Sequence, residues 1–223
     1  MAYVDAVLIV IAPQDPQPDL VMVDKLLAAL ALQDIQGIIC VNKSDLDANR
    51  AGELAQIYGA IGYATVICSA QTGEGLEILS QQVAGRTVVL AGQSGVGKSK
   101  ITEALAVVEL DIPLQVGEIS AKIGRGRHTT RQVSLLALAC GGKLADTPGF
   151  GVLELDVESW DLHRTYPEFV RLAQDCQFSP CLPIHEPVCA VKDHLARGEI
   201  NPQRYENYLK IYHELKEKEA NRY

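Results

Sequence analysis

Gly92-Gln93-Ser94-Gly95-Val96-Gly97-Lys98-Ser99 fills the pattern GxxxxGK[ST], and its surroundings decide the fold. An apolar run over residues 86–91 feeds it, and residues 98–105 leave it at helical spacing. Between a strand and a helix, such glycines let successive backbone N–H groups curl around nucleotide phosphates at a helix N-terminus. Lys98 is then placed for the β- and γ-phosphates and Ser99 for Mg2+, with Lys100 next along the same helix.

Working outward, Asn42-Lys43-Ser44-Asp45 (NKxD) lies upstream of this loop and Asp146-Thr147-Pro148-Gly149 (DxxG) downstream. An ordinary GTPase runs phosphate loop, DxxG, NKxD. Here the base-reading half comes first, so the expectation is an α/β, circularly permuted P-loop GTPase domain. Asp45 can accept two hydrogen bonds from guanine N1–H and the exocyclic amine, a donor pair that adenine lacks. Lys43 would lay its stem over the base, and Asn42 would tie this loop to the phosphate loop. Ser69-Ala70, in the run CSAQTGEG, would offer a backbone N–H to guanine O6. Asp146 would hold Mg2+ from the far side, and Gly149 would donate a backbone N–H to the γ-phosphate.

Strand-like runs at residues 4–12, 37–41, 64–68 and 86–91 alternate with helical patterns at 20–32, 48–58, 76–83 and 98–105. A strand pair is expected at 132–139 and 143–145, around Gly141-Gly142. Such alternation predicts a mostly parallel sheet with helices on both faces, its ligand groups at the carboxyl ends of strands. After Gly151 the strand pattern stops; residues 161–174 and 202–218 read as helices, the second with Asn201 as N-cap and Pro202 at its first position. Domains are therefore expected at 1–151 and 152–223. Tyr205, Tyr208, Leu209, Tyr212 and Leu215 form one stripe, read as packing.

The formal net charge of −8 over 223 residues argues against a surface that coats nucleic acid generally. Within residues 101–150 five acids balance five bases, and Lys122, Arg125, Arg127 and Arg131 crowd into ten positions. That run is either a solvated loop or one that faces phosphate. It contains Gly124-Arg125-Gly126-Arg127-His128-Thr129-Thr130, in which Thr129 or Thr130 would close over Mg2+ when the γ-phosphate is present. The position after DxxG, where many GTPases orient water with glutamine, is Phe150. Slow intrinsic hydrolysis follows, with His128 as the local candidate for the catalytic role beside Lys98. No apolar run approaches the roughly 18 residues of a membrane span, and the start lacks a basic lead and a cleavage site. The chain is expected in the cytoplasm, as a monomer.

Six cysteines fall into two groups. Cys40, Cys68 and Cys140 sit in apolar runs and read as buried hydrophobes. Cys176, Cys181, His185 and Cys189 lie within fourteen residues and suit a closed, structural Zn2+ site; disulfides are the alternative.

The permuted motifs, GRGRHTT, DTPGF, EPVCAV and the RYENYLKIYHEL helix together resemble the ribosome small subunit-dependent GTPase A (RsgA) family over nearly the whole chain. The resemblance implies a GTP-hydrolysing switch in late maturation of the small (30S) ribosomal subunit, with that subunit and its rRNA as partners and ribosome binding as the accelerator. It links His128 to catalysis. It also implies three departures. Family spacing puts the zinc histidine at position 183, here Pro183, so His185 or His194 supplies the fourth ligand. Lys100 and Arg131 stand where small hydroxyl residues are usual. The family's N-terminal OB-fold domain is expected to be lacking, since the chain begins at the first strand of the core. Two other readings remain: a GTP-dependent rRNA-binding assembly scaffold with little hydrolysis, and a degenerate paralogue that does not dock on ribosomes.

Overall fold

The structure, a computed structural model, describes residues 4–110, 134–146, 155–176, 182–184, 186 and 189–222. The chain divides into two compact units, Met1–Asp19 with Gln33–Glu154, and Leu20–Leu32 with Leu155–Tyr223.

The first unit is built on a sheet whose strands are β1 (Ala6–Ile11), β2 (Gln36–Val41), β3 (Ala64–Ile67), β4 (Thr87–Ala91), β5 (Ala106–Leu110), β6 (Ser134–Leu138) and β7 (Lys143–Asp146). Their spatial order is β3-β2-β1-β4-β7-β6-β5. β3, β2, β1, β4 and β7 run parallel, whereas β6 is antiparallel to both of its neighbours. The central strand, AVLIVI, is wholly buried, as expected of an unbroken apolar run inside a parallel sheet.

Helices α2 (Ala48–Gly59), α3 (Leu76–Val83) and α4 (Lys98–Leu105) belong to this unit. Asp47 caps α2, its carboxylate accepting from Arg50 N–H at 2.9 Å, a bond worth about 1 kcal/mol. Gly75, with φ +72°, starts α3; a Cβ there would lie 2.1 Å from Ile67 O, so no other residue fits.

The second unit gathers α1 (Leu20–Ala31), a 3₁₀ segment Ser159–Thr165, α5 (Pro167–Leu172), a 3₁₀ turn Ala173–Asp175, α6 (Ala190–Ala196) and α7 (Pro202–Ala220). In sequence α1 looked like part of the nucleotide-binding half; in the structure it groups with the C-terminal helices. Its reason is chemical. Asp24 on α1, Glu168 on α5 and Arg204 on α7 form a cluster in which each residue is at most 2% exposed. Arg204 donates through Nε and Nη2 to the two oxygens of Glu168, at 2.9 and 3.2 Å, and through Nη1 to Asp24. Asn207 Nδ2 donates to the other Asp24 oxygen at 2.7 Å. The guanidinium also lies 4.3 Å from the centre of the Tyr166 ring. Burial opposes the charge on Arg204, but the two carboxylates outweigh it and hold the guanidinium above its ordinary pKa.

One expectation is corrected, and two elements lie where the sequence was given no assignment. Residues 161–174 do not form one helix, because Pro167 lacks a backbone N–H and pushes Tyr166 to extended dihedrals (φ −102°, ψ 104°). Residues 106–110 form a strand, the chain turning from helical to extended at Ala106 itself. Residues 190–196 form a short helix directly after the last cysteine, its charged residues hiding the period. The tyrosines do pack: Tyr208 meets Tyr166 and Phe169 edge-on at 5.2 and 5.0 Å. Among the described residues no helix is long and apolar enough to cross a membrane.

Candidate nucleotide-binding site

β2 lies on one side of β1 and β4 on the other, so the direction in which the sheet grows reverses between β1 and β4. An open α/β sheet takes its ligand in the crevice outside the strand carboxyl ends at such a reversal. A cleft of about 630 Å3 is found here. Asn42, Lys43, Asp45 and Leu46 line it from the loop after β2, Ala70 and Gln71 from the loop after β3, Ser94, Gly95 and Gly97 from the loop after β4, and Lys98, Ser99 and Lys100 from the first turn of α4.

On the phosphate side the backbone demands glycine. Gly92 has φ +136°, and a Cβ on it would lie 2.2 Å from Val10 O of β1. Gly97 has φ +97°, and a Cβ there would lie 2.3 Å from Asn42 Nδ2. The loop can approach its neighbours only without side chains at these points. Lys98 folds back along the loop, Nζ donating to Gly92 O and Gln93 O at 2.8 and 2.7 Å. Gln93 Oε1 accepts from Asp19 N–H at 3.0 Å, and Val96 is fully buried.

On the base side a single amide is the junction. Asn42, 1% exposed, donates through Nδ2 to Val96 O of the phosphate loop at 2.8 Å. Its Oδ1 accepts from Ala70 N–H at 2.9 Å and from Cys68 Sγ at 3.7 Å. Lys43 sits at φ +62°, and its ammonium donates to Asp15 O. The Ser69 hydroxyl donates to Asp45 Oδ1 and accepts from Thr72 N–H at 3.1 Å, which fixes the carboxylate at the cleft wall. Lys100 Nζ donates to Gln71 Oε1, spanning from α4 to the loop after β3.

The structure thus brings Asn42, Lys43, Asp45, Ala70 and the loop Gly92–Lys100 to one place. It differs in detail at Ser69-Ala70. The pair was read as offering one backbone N–H to guanine O6; the N–H groups of Ser69 and Ala70 donate to Glu74 O (2.9 Å) and to Asn42 Oδ1, because the chain turns sharply at the end of β3. Asp146 ends β7, hydrogen-bonded along β4, the strand that feeds the phosphate loop. His128, Thr129, Thr130 and Gly149 lie outside the described residues, as does Phe150. Sequence reading missed Gln71, Leu46 and the anchor Asp15, and did not foresee that Gln93 would accept from Asp19 N–H. The signal available for Asp15 was its place just past the carboxyl end of the central strand.

Of the zinc set, Cys176 and Cys189 are described, while Cys181 and His185 lie outside. Cys176 ends the 3₁₀ turn Ala173–Asp175, Cys189 starts α6, and those two elements touch. Three of the described residues between them are held through their carbonyls: the Tyr205 hydroxyl donates to Pro183 O at 2.6 Å, and Lys192 Nζ to Ile184 O and Glu186 O at 2.7 and 3.0 Å. The alternative fourth ligand, His194, has Nδ1 at 2.6 Å from Glu199 Oε2. Among the described residues alone no group of three or more ligating side chains assembles.

Comparison with known proteins agrees with this geometry. The sequence pattern of the RsgA GTPase family matches residues 1–156. The small ribosomal subunit biogenesis GTPase RsgA of Caldanaerobacter subterraneus subsp. tengcongensis is 41% identical over 224 residues, covering 100% of this chain and 75% of its own length. That of Moorella thermoacetica is 41% identical over 216 residues, 96% of this chain and 73% of its own. Among solved structures, YjeQ from Thermotoga maritima superposes with a TM-score of 0.77 at 34% identity, covering 96% of this chain and 72% of that one. YloQ, described as a circularly permuted GTPase, gives 0.75 at 32%, covering 96% and 69%. A phosphate loop and an NKxD loop met in reversed chain order and joined by Asn42, together with these matches, place the chain in the RsgA GTPase family.

Proposed function

We propose that this chain is a GTP-hydrolysing switch acting in the cytoplasm on the maturing small ribosomal subunit, with its rRNA as the docking surface. The observation that carries the reading is the Asn42 side chain, which joins the base-side and phosphate-side loops in one cleft. The names of its relatives support the choice of partner.

Asp45 accepts from guanine N1–H and the exocyclic amine, oriented by the Ser69 hydroxyl. Lys43, held by Asp15 O, covers one face of the base. Lys98 exchanges the carbonyls of Gly92 and Gln93 for β- and γ-phosphate oxygens, so the loop keeps its shape when the lysine turns. Ser99, with Asp146 and Thr129 or Thr130, would hold Mg2+, which supplies charge stabilisation at the transferring phosphate. Ser99 lines the cleft and β7 delivers Asp146 beside β4, an oxygen donor set that suits this ion. Gly149 donates to the γ-phosphate, and His128 orients the attacking water in place of the glutamine that Phe150 replaces. Ribosome binding accelerates hydrolysis by settling His128.

Residues 152–223 carry a structural Zn2+ held by Cys176, Cys181, Cys189 and His185. Soft thiolate donors fit that ion, and His185 lies between Cys181 and Cys189 in sequence, whereas His194 lies beyond them.

Turnover and sedimentation with purified 30S subunits test the proposal. GTP hydrolysis should rise several-fold with subunits and fall back in His128→Ala, while a non-hydrolysable GTP analogue should drive co-sedimentation. Asp45→Asn should weaken GTP and admit xanthosine triphosphate, whose C2 carbonyl matches the new amide donor. Unstimulated turnover with no co-sedimentation would overturn the ribosomal role, and unaltered base selectivity in Asp45→Asn would overturn the site.

A further inference from the structure

Cys40 of β2 and Cys68, just past β3, place their Sγ atoms 3.4 Å apart, both fully buried. They lie at and just past the ends of the strands that carry the base-side loops, and the one part either thiol plays in the site as described is the contact of Cys68 Sγ with Asn42 Oδ1. Cys68 is tied into those loops at several points. Its Sγ donates to Asn42 Oδ1 at 3.7 Å, its carbonyl accepts from Ser44 N–H at 3.1 Å, and its N–H donates to Val41 O at 2.9 Å. The next two residues hold Asp45 and Asn42. Gly75 closes the other side, where an added Cβ would stand 3.0 Å from Cys68 Cβ.

The two thiols differ. Either sulfur can donate in the contact between them; with Cys40 as the donor, that hydrogen bond draws the Cys68 thiol below its ordinary pKa, while the same bond and burial push the Cys40 thiol up. Cys68 stands just past the end of the short edge strand β3, whereas Cys40 lies inside a strand paired on both sides, so Cys68 is the sulfur that an oxidant reaches first when the edge opens and Cys40 the one that resolves. β3 provides a route of access. It has four residues and, among the described residues, pairs only with β2; a short edge strand opens locally before the core does.

We propose that Cys40 and Cys68 form a hydroperoxide-reactive dithiol whose disulfide loosens the base side of the cleft, a reading that rests on the cleft being the guanine-nucleotide site. Cys68 thiolate attacks the terminal oxygen of the hydroperoxide. An S–O bond forms, the O–O bond breaks, and the departing alkoxide or hydroxide takes up a proton. Cys40 sulfur then attacks the Cys68 sulfenic sulfur. The S–S bond forms, the S–O bond breaks, and water leaves with the Cys40 proton. Two electrons pass from the dithiol to the peroxide. The sulfurs must close from 3.4 Å to about 2.05 Å. Cys40 is fixed in a strand paired on both sides, so Cys68 moves, and Asn42 loses its thiol donor.

The reduced full chain is treated with tert-butyl hydroperoxide, digested without reductant and mapped. Affinity for a fluorescent GTP is titrated before and after. The expected result is a Cys40–Cys68 linked peptide and GTP binding weakened tenfold or more, reversed by dithiothreitol. Cys40→Ala, or the bulkier Cys40→Val should alanine fail to fold, should keep its affinity through the same treatment with the other five cysteines in place. Absence of the linkage, linkage with unchanged affinity, or a loss that persists in the Cys40 variant each overturns the proposal. A reduced chain that never binds GTP overturns the nucleotide site and this inference together. A reduced chain that binds GTP but never links the pair overturns the dithiol alone.

Discussion

Asn42 in the first unit and Arg204 in the second are almost equally hidden, 1% and 2% exposed, and each ties together three other residues. They do so with opposite chemistry. Asn42 is neutral, and two of its partners are backbone groups of loops that meet a ligand. Such bonds are each worth about 1 kcal/mol net and exchange partners readily. Arg204 is charged, and its partners are two buried carboxylates and an aromatic ring. Removing one member leaves an uncompensated ion in the interior, which costs about 3–5 kcal/mol. The nucleotide side is thus held by exchangeable bonds and the helical side by an all-or-none cluster.

Four substitutions probe that contrast, the largest effect first. Arg204→Ala should destabilise the second unit by about 3–5 kcal/mol. Trp160 is the chain's single tryptophan, half exposed in that unit, so urea unfolding followed by its fluorescence reads the effect. Adding Asp24→Asn and Glu168→Gln to Arg204→Met should recover much of the loss; no recovery would mean shape rather than charge holds the helices. Lys98→Ala should cut GTP turnover by about 10²–10³ while leaving the tryptophan transition in place, since Lys98 hydrogen-bonds within the phosphate loop. A shifted transition would erase the separation of roles. Gly97→Ala should cost about 1–2 kcal/mol through its left-handed backbone, plus the clash with Asn42 Nδ2. In an Asn42→Ala background the clash part should vanish, so a double-mutant cycle on GTP affinity should show coupling. Lys25→Ala breaks an exposed pair with Glu214 in the same unit as Arg204, and should change stability by under about 1 kcal/mol. A larger loss would mean that exposure fails to sort the ion pairs of that unit.

The same contrast governs what could be read from sequence. The cleft was legible because its parts are short and local: Gly92 to Ser99 is one stretch, and each of its glycines answers a backbone need. β1, β2 and β4 announced themselves as unbroken apolar runs, and α3 and α4 matched to the residue. The Arg204 cluster was not legible. Asp24, Glu168 and Arg204 each look like a solvated charge in their own helix, and Arg204 stands 180 residues from Asp24. The tyrosine stripe was seen, but the true buried face of α7 is turned to include Arg204, Asn207 and Ile211. The split at Pro167 was visible as a rule of backbone chemistry and was overridden by helical spacing on either side. Ser69-Ala70 shows a subtler gap, since a motif names a donor without revealing what occupies it.

The separation of Asp24 from Arg204 also matters while the polypeptide is being made. Translation proceeds at about 5–20 residues per second, so the aspartate is synthesised on the order of ten seconds before its guanidinium exists. Until then the Asp24 carboxylate must stay hydrated, and α1 cannot settle into its final burial. A helix translated well ahead of its partners is therefore among the last to be committed. A nascent chain stalled just before Arg204 would keep its nucleotide loops but leave that earlier helix in water.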